Sequence, residues 1–174
     1  MIKRYIAIAA VSAVSAAAMY FLNKANKEKE KSTEAKEKTE LRNPVSVVTK
    51  EDFLQAGISV DPPEGASNIF WLTIDGQTPV YSLDYFIGQN EYNLRVKRCD
   101  KLEDISGMYY TWTEELTASD GGARAVIQTV DGEAGICLWY RDGYTISLSM
   151  RGNVTMEDIE SMFQFLNQSL VIEK

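Results

Sequence analysis

The feature that most constrains this chain is an uncharged, mostly apolar run of eighteen residues from Tyr5 to Leu22. Two basic residues, Lys3 and Arg4, precede the run. A helix rises about 1.5 Å per residue, so eighteen residues just cross a hydrocarbon layer of roughly 30 Å. The run is apolar on all sides, unlike a helix that packs one face on a core. We therefore predict a transmembrane signal-anchor at residues 5–22, after a short cytoplasmic N-terminus at residues 1–4.

The alternative is a cleaved signal peptide, with the small residues Ala16–Ala18 as its cleavage site. The apolar run continues past that site, and Tyr20 and Phe21 beside a lysine are typical of an interfacial anchor, which favours the uncleaved helix. The basic N-terminus indicates that residues 1–4 stay inside, whereas six lysines soon after the run indicate the reverse. We expect the domain to be extracytoplasmic, because signal-like segments normally export the chain on their C-terminal side.

Two further segments differ sharply in charge. Residues 23–42 hold seven Lys/Arg and five Glu with almost no apolar residues, which predicts a charged stalk that is a frayed helix or a disordered spacer. Residues 43–174 hold nine Lys/Arg against twenty Asp/Glu, and they are numerous enough to bury a core. We expect one acidic domain there. We expect no nucleic-acid partner for this domain, because affinity for phosphates comes largely from cations.

The chain contains no histidine. This absence removes the commonest general acid or base near neutral pH, the usual zinc ligand, and the Ser-His and Cys-His nucleophile pairs. Acidic residues concentrate between Asp100 and Asp120, but their spacing does not match a recognised calcium loop. Pairs of carboxylates that could serve glycoside hydrolysis would occur in any acidic domain, so their presence here does not indicate that activity. We expect no enzyme activity, no metal site and no cofactor.

Residue periodicity predicts an α+β fold for residues 43–174. Thr49 with Asp52, and Thr155 with Asp158, match capping boxes that begin a short helix and a C-terminal amphipathic helix. Between them, apolar and polar residues alternate with the period of strands, and Asp-Gly pairs provide hairpin turns. The predicted strands are residues 69–74, 81–87, 92–96, 124–130, 135–141 and 144–150. We predict a curved antiparallel sheet of about six strands, in two meanders, packed against the C-terminal helix.

One face of this predicted sheet is polar. In the last predicted strand, apolar residues alternate strictly with Thr145, Ser147 and Ser149. In another strand, Arg95 and Lys97 lie on the polar side. We expect that face to be in contact with water.

From Ile69 onward the chain resembles a Firmicutes-type extracytoplasmic domain family of unknown function, found at the C-terminus of small membrane-anchored and anti-sigma-factor-like proteins. The segments that carry this resemblance are Asp75-Gly76, residues 103–109, residues 138–144 and residues 155–166. The resemblance implies a fold related to curved half-barrels similar to periplasmic lipoprotein carriers, with a concave apolar groove. Only four residues precede the apolar run, so we do not expect the sigma-binding region of anti-sigma proteins.

Two sets of side chains are candidates for a site. Cys99 and Cys137 are the only cysteines, and they are either a disulfide or two small buried side chains. Tyr109, Tyr110 and Trp112 follow Gly107 and either line a ligand or partner groove or plug the open end of the sheet.

These observations predict a non-catalytic, membrane-anchored extracytoplasmic domain that binds or senses a protein or an envelope component. The alternative is a carrier-like module that holds an apolar ligand between the sheet and the helix. A tightly filled core would favour the first function, and a large apolar pocket behind Tyr110 or Trp112 would favour the second.

Overall fold

The structure, a computed structural model, describes residues 44–173. The predicted signal-anchor at residues 5–22 and the predicted stalk at residues 23–42 lie outside the described residues. The described residues belong to one compact unit. Within residues 44–173, neither helix is long and apolar enough to cross a membrane.

Ten strands and two helices make up the described part of the chain. In order they are β1 (Val45–Val47), α1 (Lys50–Gln55), β2 (Ile58–Ser59), β3 (Ser67–Ile74), β4 (Val80–Ile87), β5 (Asn90–Arg98), β6 (Glu114–Asp120), β7 (Ala123–Val130), β8 (Ala134–Arg141), β9 (Tyr144–Arg151), α2 (Met156–Ser169) and β10 (Val171–Ile172).

Eight strands form one antiparallel sheet in the order β1-β3-β4-β5-β9-β8-β7-β6. Two meanders, β3-β4-β5 and β6-β7-β8-β9, join where β5 pairs with β9, with Leu94 opposite Leu148. The short strands β2 and β10 form a separate antiparallel pair. The predicted antiparallel sheet with a C-terminal helix is confirmed, but the predicted number of strands was too low. Alternation did not reveal β1, which has three residues, or β6, which is exposed along most of its length.

Both helices begin where the sequence predicts them. The amide N–H of Asp158 donates to the Thr155 hydroxyl at 3.2 Å, and the amide N–H of Thr155 donates to the Asp158 carboxylate at 3.0 Å. The same reciprocal pair joins Thr49 and Asp52 at the start of α1. These bonds satisfy amide groups that a helix N-terminus leaves without partners inside the helix.

One face of the sheet, the core face, packs against both helices. Trp139 on β8 meets Phe163 on α2 edge to face, with ring centroids 5.3 Å apart, and neither side chain is exposed. Phe53 on α1 contacts Trp71 in the same geometry at 4.7 Å. A Cβ atom at Gly135 would lie 1.9 Å from Ile159 Cδ1, so the helix rests directly on the strand backbone. The space between the sheet and α2 is filled.

The opposite face, the second face, is partly covered by residues 99–113, the connector between β5 and β6. Arg95 Nη1 donates to the carbonyl of Ile105 at 2.9 Å, and Lys97 pairs with Glu103 at 2.6 Å. Farther along, Met108 packs against Ala134 and Ile136 of β8. The connector therefore crosses the sheet from β5 toward β8.

This arrangement corrects, for the polar side chains of β9, the expectation that the polar face is in contact with water. Thr145 and Ser147 are fully buried and Ser149 is nearly so. The Thr145 hydroxyl donates to the carbonyl of Lys101 and accepts from the amide of Glu103, both at 3.0 Å. The alternation identified the two faces correctly, but it contained no information about a covering loop.

A candidate interaction surface on the second face

Six polar side chains form a rectangular block at the centre of the second face. They occupy directly paired positions on β4, β5 and β9, in two adjacent rows. The first row is Ser82, Arg95 and Ser147, and the second row is Asp84, Asn93 and Ser149. We call these six residues the polar block. A central patch of polar side chains on three neighbouring strands is costly to bury, so its contacts are informative about function.

The β4 side of the polar block is linked by hydrogen bonds. The Ser82 hydroxyl donates to Asp84 Oδ1 at 2.9 Å, and Asn93 Nδ2 donates to both Ser82 Oγ, at 3.0 Å, and Asp84 Oδ1. Burial raises the pKa of Asp84 above its ordinary value, although these hydrogen bonds and the charge of Arg95 act in the opposite direction. Burial also lowers the pKa of Arg95.

The β9 side of the block is different. Four buried polar atoms have no hydrogen-bond partner among the described residues: Asn93 Oδ1, Arg95 Nε, Ser147 Oγ and Ser149 Oγ. They come from two directly opposed pairs, because Asn93 faces Ser149 and Arg95 faces Ser147 across the ladder. A buried donor or acceptor without a partner costs about 1–3 kcal/mol. Three further atoms of this kind among the described residues, Thr129 Oγ1, Trp139 Nε1 and Ser169 Oγ, lie outside the polar block.

An apolar patch adjoins the polar block on the side that the connector leaves open. Side chains alternate between the two faces along β3. Trp71 and Thr73 lie on the core face, so Phe70, Leu72 and Ile74 lie on the second face. On the neighbouring edge strand, Val45 pairs with Ile74 and Val47 with Leu72. The patch consists of Val45, Val47, Phe70, Leu72, Ile74 and Val80. Val47 is 73% exposed and Val45 is 40% exposed, so water reaches this surface.

A cavity of about 650 Å³ lies at one end of the sheet, between residues 74–80 and residues 97–103. Cys99 lines this cavity, and its thiol donates to the carbonyl of Lys101 at 2.9 Å. Cationic and anionic residues are mixed around it, since Lys97, Arg98 and Lys101 share the lining with Asp75, Asp100 and Glu103. The lining does not favour one class of ligand.

The two cysteines are both free. Cys137 is buried in the core face, where burial raises the pKa of its thiol, whereas the Cys99 thiol lies 3.0 Å from the Thr145 hydroxyl on the second face. The sheet separates them, so no disulfide joins them in this structure; Cys137 is buried as the second alternative expects, whereas Cys99 is only partly buried.

The three aromatic candidates do not act as one cluster. Tyr110 and Trp112 lie with ring centroids 5.3 Å apart and pack against the small cluster of Met108, Ala134 and Ile136. Tyr109 is 96% exposed and does not belong to that cluster. Tyr110 and Trp112 therefore help to hold the connector over β8, and of the three only Tyr109 exposes nearly its whole side chain to solvent.

Neither the polar block nor the apolar patch was predicted from the sequence. The available signal was a pair of polar residues spaced by two on each of three strands: Ser82/Asp84, Asn93/Arg95 and Ser147/Ser149. That spacing alone is typical of a water-facing strand surface. Only the pairing of β5 with β9 brings the three pairs together.

Comparison with protein-family models, with curated proteins and with solved structures finds no match to this chain. The resemblance to the Firmicutes extracytoplasmic family therefore stays a prediction. Within residues 44–173, no group of three or more Cys, Asp and Glu side chains is arranged to hold a metal ion.

Proposed function

We propose that this protein is a non-catalytic, membrane-anchored interaction module that binds a protein or an envelope component through its second face. The observation that carries this proposal is the apolar patch, where Val47 is 73% exposed on a sheet face that the connector covers only in part. Contiguous exposed apolar surface is uncommon on monomeric soluble domains and often marks an interaction site. Burying one such side chain against a partner contributes roughly 1.5–3 kcal/mol.

The proposal places the domain outside the cytoplasm. Residues 5–22 would anchor the chain in the membrane, and the stalk at residues 23–42 would hold the domain at the membrane surface. The described domain has eight Lys/Arg and twenty Asp/Glu, so it would remain soluble next to an anionic bilayer. The partner would then be another envelope component within reach of the stalk.

Packing favours this function over the carrier-like alternative. An apolar ligand between the sheet and α2 would need space beside Trp139, Ile159 and Phe163, and all three side chains are fully buried in one core cluster. Protein interiors with this packing do not admit a ligand without displacing side chains.

Site-specific photo-crosslinking in intact cells tests the docking surface. A benzophenone side chain replaces Val47 in the full-length chain, and the matched control carries it at Leu54, an apolar residue of α1 that is 46% exposed. We expect a discrete adduct from Val47 that is absent from Leu54. A second substitution in the patch, Val45→Asp, should abolish the adduct.

Two results would contradict the proposal. One is the same adducts from both positions, which indicates random collisions. The other is an adduct from Val47 that persists in the Val45→Asp protein. Circular dichroism of each purified variant establishes that it is folded.

A further inference from the structure

We propose that the open edge of β6 binds an extended polypeptide segment of a partner protein that carries lysine or arginine, and that this segment adds to the sheet as a further strand. The inference rests on the backbone of β6 and on the charges at its two ends. β6 lies at the opposite edge of the sheet from the apolar patch, so the inference does not depend on the proposed docking function.

The backbone of β6 is bonded on one side only. β6 is the last strand of the eight-stranded sheet and pairs with β7 alone. Asp120 and Ala123 flank the two-residue turn Gly121-Gly122, and residues that flank such a turn bond to each other. Bonded and open positions alternate from there along an antiparallel strand. The N–H and C=O groups that point to the open edge therefore belong to Glu115, Thr117 and Ser119.

An incoming strand has room to pair with this edge. Glu115, Thr117 and Ser119 are all exposed, and no backbone hydrogen bond from elsewhere in residues 44–173 reaches them. The pairing of β6 with β7 continues over seven residues without a shift in register. The three N–H and three C=O groups are thus available at the regular spacing that strand addition requires.

The centre of β6 lacks the features that commonly prevent strand addition. Proteins protect edge strands with proline, lysine, a bulge or a charged side chain within the strand. The central residues of β6, Leu116-Thr117-Ala118-Ser119, contain none of these. Leu116 is 37% exposed and offers apolar contact beside the backbone. The charged residues of β6 lie only at its two ends.

Those terminal charges select a basic segment. Glu114 and Glu115 lie at one end of β6 and Asp120 lies at the other. Two of the three carboxylates are held in place, because Gln128 Nε2 donates to Glu115 Oε2 at 2.8 Å and Asn167 Nδ2 donates to Asp120 Oδ2 at 3.0 Å. Opposite charges directly across a strand pair stabilise that pair. A segment with lysine or arginine opposite these carboxylates therefore fits the edge.

A second copy of this chain fits the same edge poorly. Antiparallel pairing of two β6 strands along their full length would place Glu114 of each copy opposite Asp120 of the other. Like charges that face each other across a strand pair are destabilising. The partner is therefore a different chain.

Fluorescence anisotropy with the full-length protein in detergent tests the inference. The probe is the fluorescently labelled peptide Lys-Thr-Val-Thr-Val-Lys-Lys, whose antiparallel pairing with β6 places a lysine opposite each of Asp120, Glu115 and Glu114. The probe should bind saturably at about 0.15 M salt, where charges more than about 8 Å apart are screened. The same peptide with glutamate in place of lysine should not bind.

N-methylation of the probe separates strand addition from simple charge attraction. Methyl groups on its second, fourth and sixth amides remove the N–H groups that would face β6 and should abolish binding. The same number of methyl groups on its third, fifth and seventh amides points away from β6 and should preserve binding. The bound probe should also slow hydrogen exchange at the amides of Glu115, Thr117 and Ser119.

Variants of β6 test the two contributions separately. Thr117→Pro removes the central N–H of the open edge without breaking a bond to β7, so it should weaken binding of the probe about tenfold or more. Glu114→Gln/Glu115→Gln keeps the backbone and should weaken binding about three- to tenfold. The matched control, Glu64→Gln/Glu157→Gln, removes two exposed carboxylates outside β6 and should leave binding unchanged. Circular dichroism establishes that each variant is folded.

Four results would overturn the inference: no saturable binding of the lysine probe, equal binding of the glutamate probe, equal binding of the two N-methylated probes, or unchanged binding by Thr117→Pro. The first result would mean that the acidic ends of β6 serve only to keep this edge unpaired. None of these results bears on the Val47 crosslink, so the two proposals can fail separately.

Discussion

At the scale of single residues, Gly135 on β8 shows how closely α2 packs on the sheet. A Cβ atom there would lie 1.9 Å from Ile159 Cδ1 and 3.1 Å from Thr129 Cγ2. We expect Gly135→Ala to lower the free energy of unfolding by about 1–3 kcal/mol, because overpacking forces core side chains to shift. Urea denaturation of the purified protein measures this change.

A double variant tests the cause of that loss. Ile159→Val removes the Cδ1 atom that the new methyl group would meet, so Gly135→Ala/Ile159→Val should cost less than the sum of the two single changes. Gly76→Ala is the control, because its added Cβ would meet only Thr78 O at 3.4 Å. Strict additivity of the two changes would contradict the packing explanation.

The raised pKa of Asp84 predicts that this residue stabilises the folded protein more at low pH than at neutral pH. Burial raises its pKa in the folded protein above the usual 3.8, so the folded state binds the proton more tightly than the unfolded state does. The stabilisation from this proton is fully present below the unfolded pKa and is lost as the pH rises through the folded pKa. Unfolding free energies of the original protein and of Asp84→Asn, measured from pH 7 to pH 4, should therefore differ increasingly in favour of the original as the pH falls.

Glu103 is a control of opposite sign. The hydrogen bond and charge of Lys97 lower the pKa of Glu103, so its contribution is present at neutral pH and is lost on acidification. Comparison with Glu103→Gln should give the reverse slope. If the difference in unfolding free energy between the original protein and Asp84→Asn did not change with pH, the conclusion that burial raises the pKa of Asp84 would be wrong.

At the scale of elements, the C-terminal end of α2 depends on a side chain from the sheet. Arg141 donates from Nη1 to the carbonyl and the side-chain oxygen of Asn167, and from Nη2 to the carbonyl of Leu170 at 2.5 Å. These bonds satisfy carbonyl groups that a helix leaves free at its last turn. We expect Arg141→Met to lower the unfolding free energy by about 1.5–3 kcal/mol.

Hydrogen exchange locates the effect of that substitution. Amides between residues 166 and 170 should lose protection first in Arg141→Met, whereas those of β5 and β9 should keep theirs. Arg124→Met is the matched control, because Arg124 is exposed on β7 and its loss should change stability by no more than about 0.5 kcal/mol. Uniform loss of protection along the chain would indicate a global effect instead.

Elements also differ in how far the sequence predicts them. Both capping boxes, the amphipathic stripe of α2 and most strands of the two meanders can be read from local patterns, since caps and alternation are properties of neighbouring residues. The edge strand β6 has exposed acidic residues at its start and offers no apolar alternation, so its pattern resembles a loop. The polar block could not be predicted, because it depends on the pairing of β5 with β9 and on the path of the connector.

At the scale of the whole molecule, the distribution of charge is compatible with the proposed domain held beside a membrane. The described residues carry twelve more acidic than basic side chains, while residues 23–42 are slightly basic. Anionic lipid would repel the domain but not the stalk. The second face would thus be kept free of the bilayer and available to another envelope component.

The side of the membrane on which the domain lies can be tested directly. We expect protease added to intact protoplasts to digest the domain of a C-terminally tagged chain, which remains in the membrane fraction at full length before treatment. The reason is that the signal-like segment at residues 5–22 should export the domain C-terminal to it.

A cytoplasmic protein that stays intact until lysis is the control for closed membranes. Protection of the domain until lysis would mean that the lysines of the stalk hold it inside, as the positive-inside rule alone would suggest. In that case the partner of the second face would have to be sought in the cytoplasm.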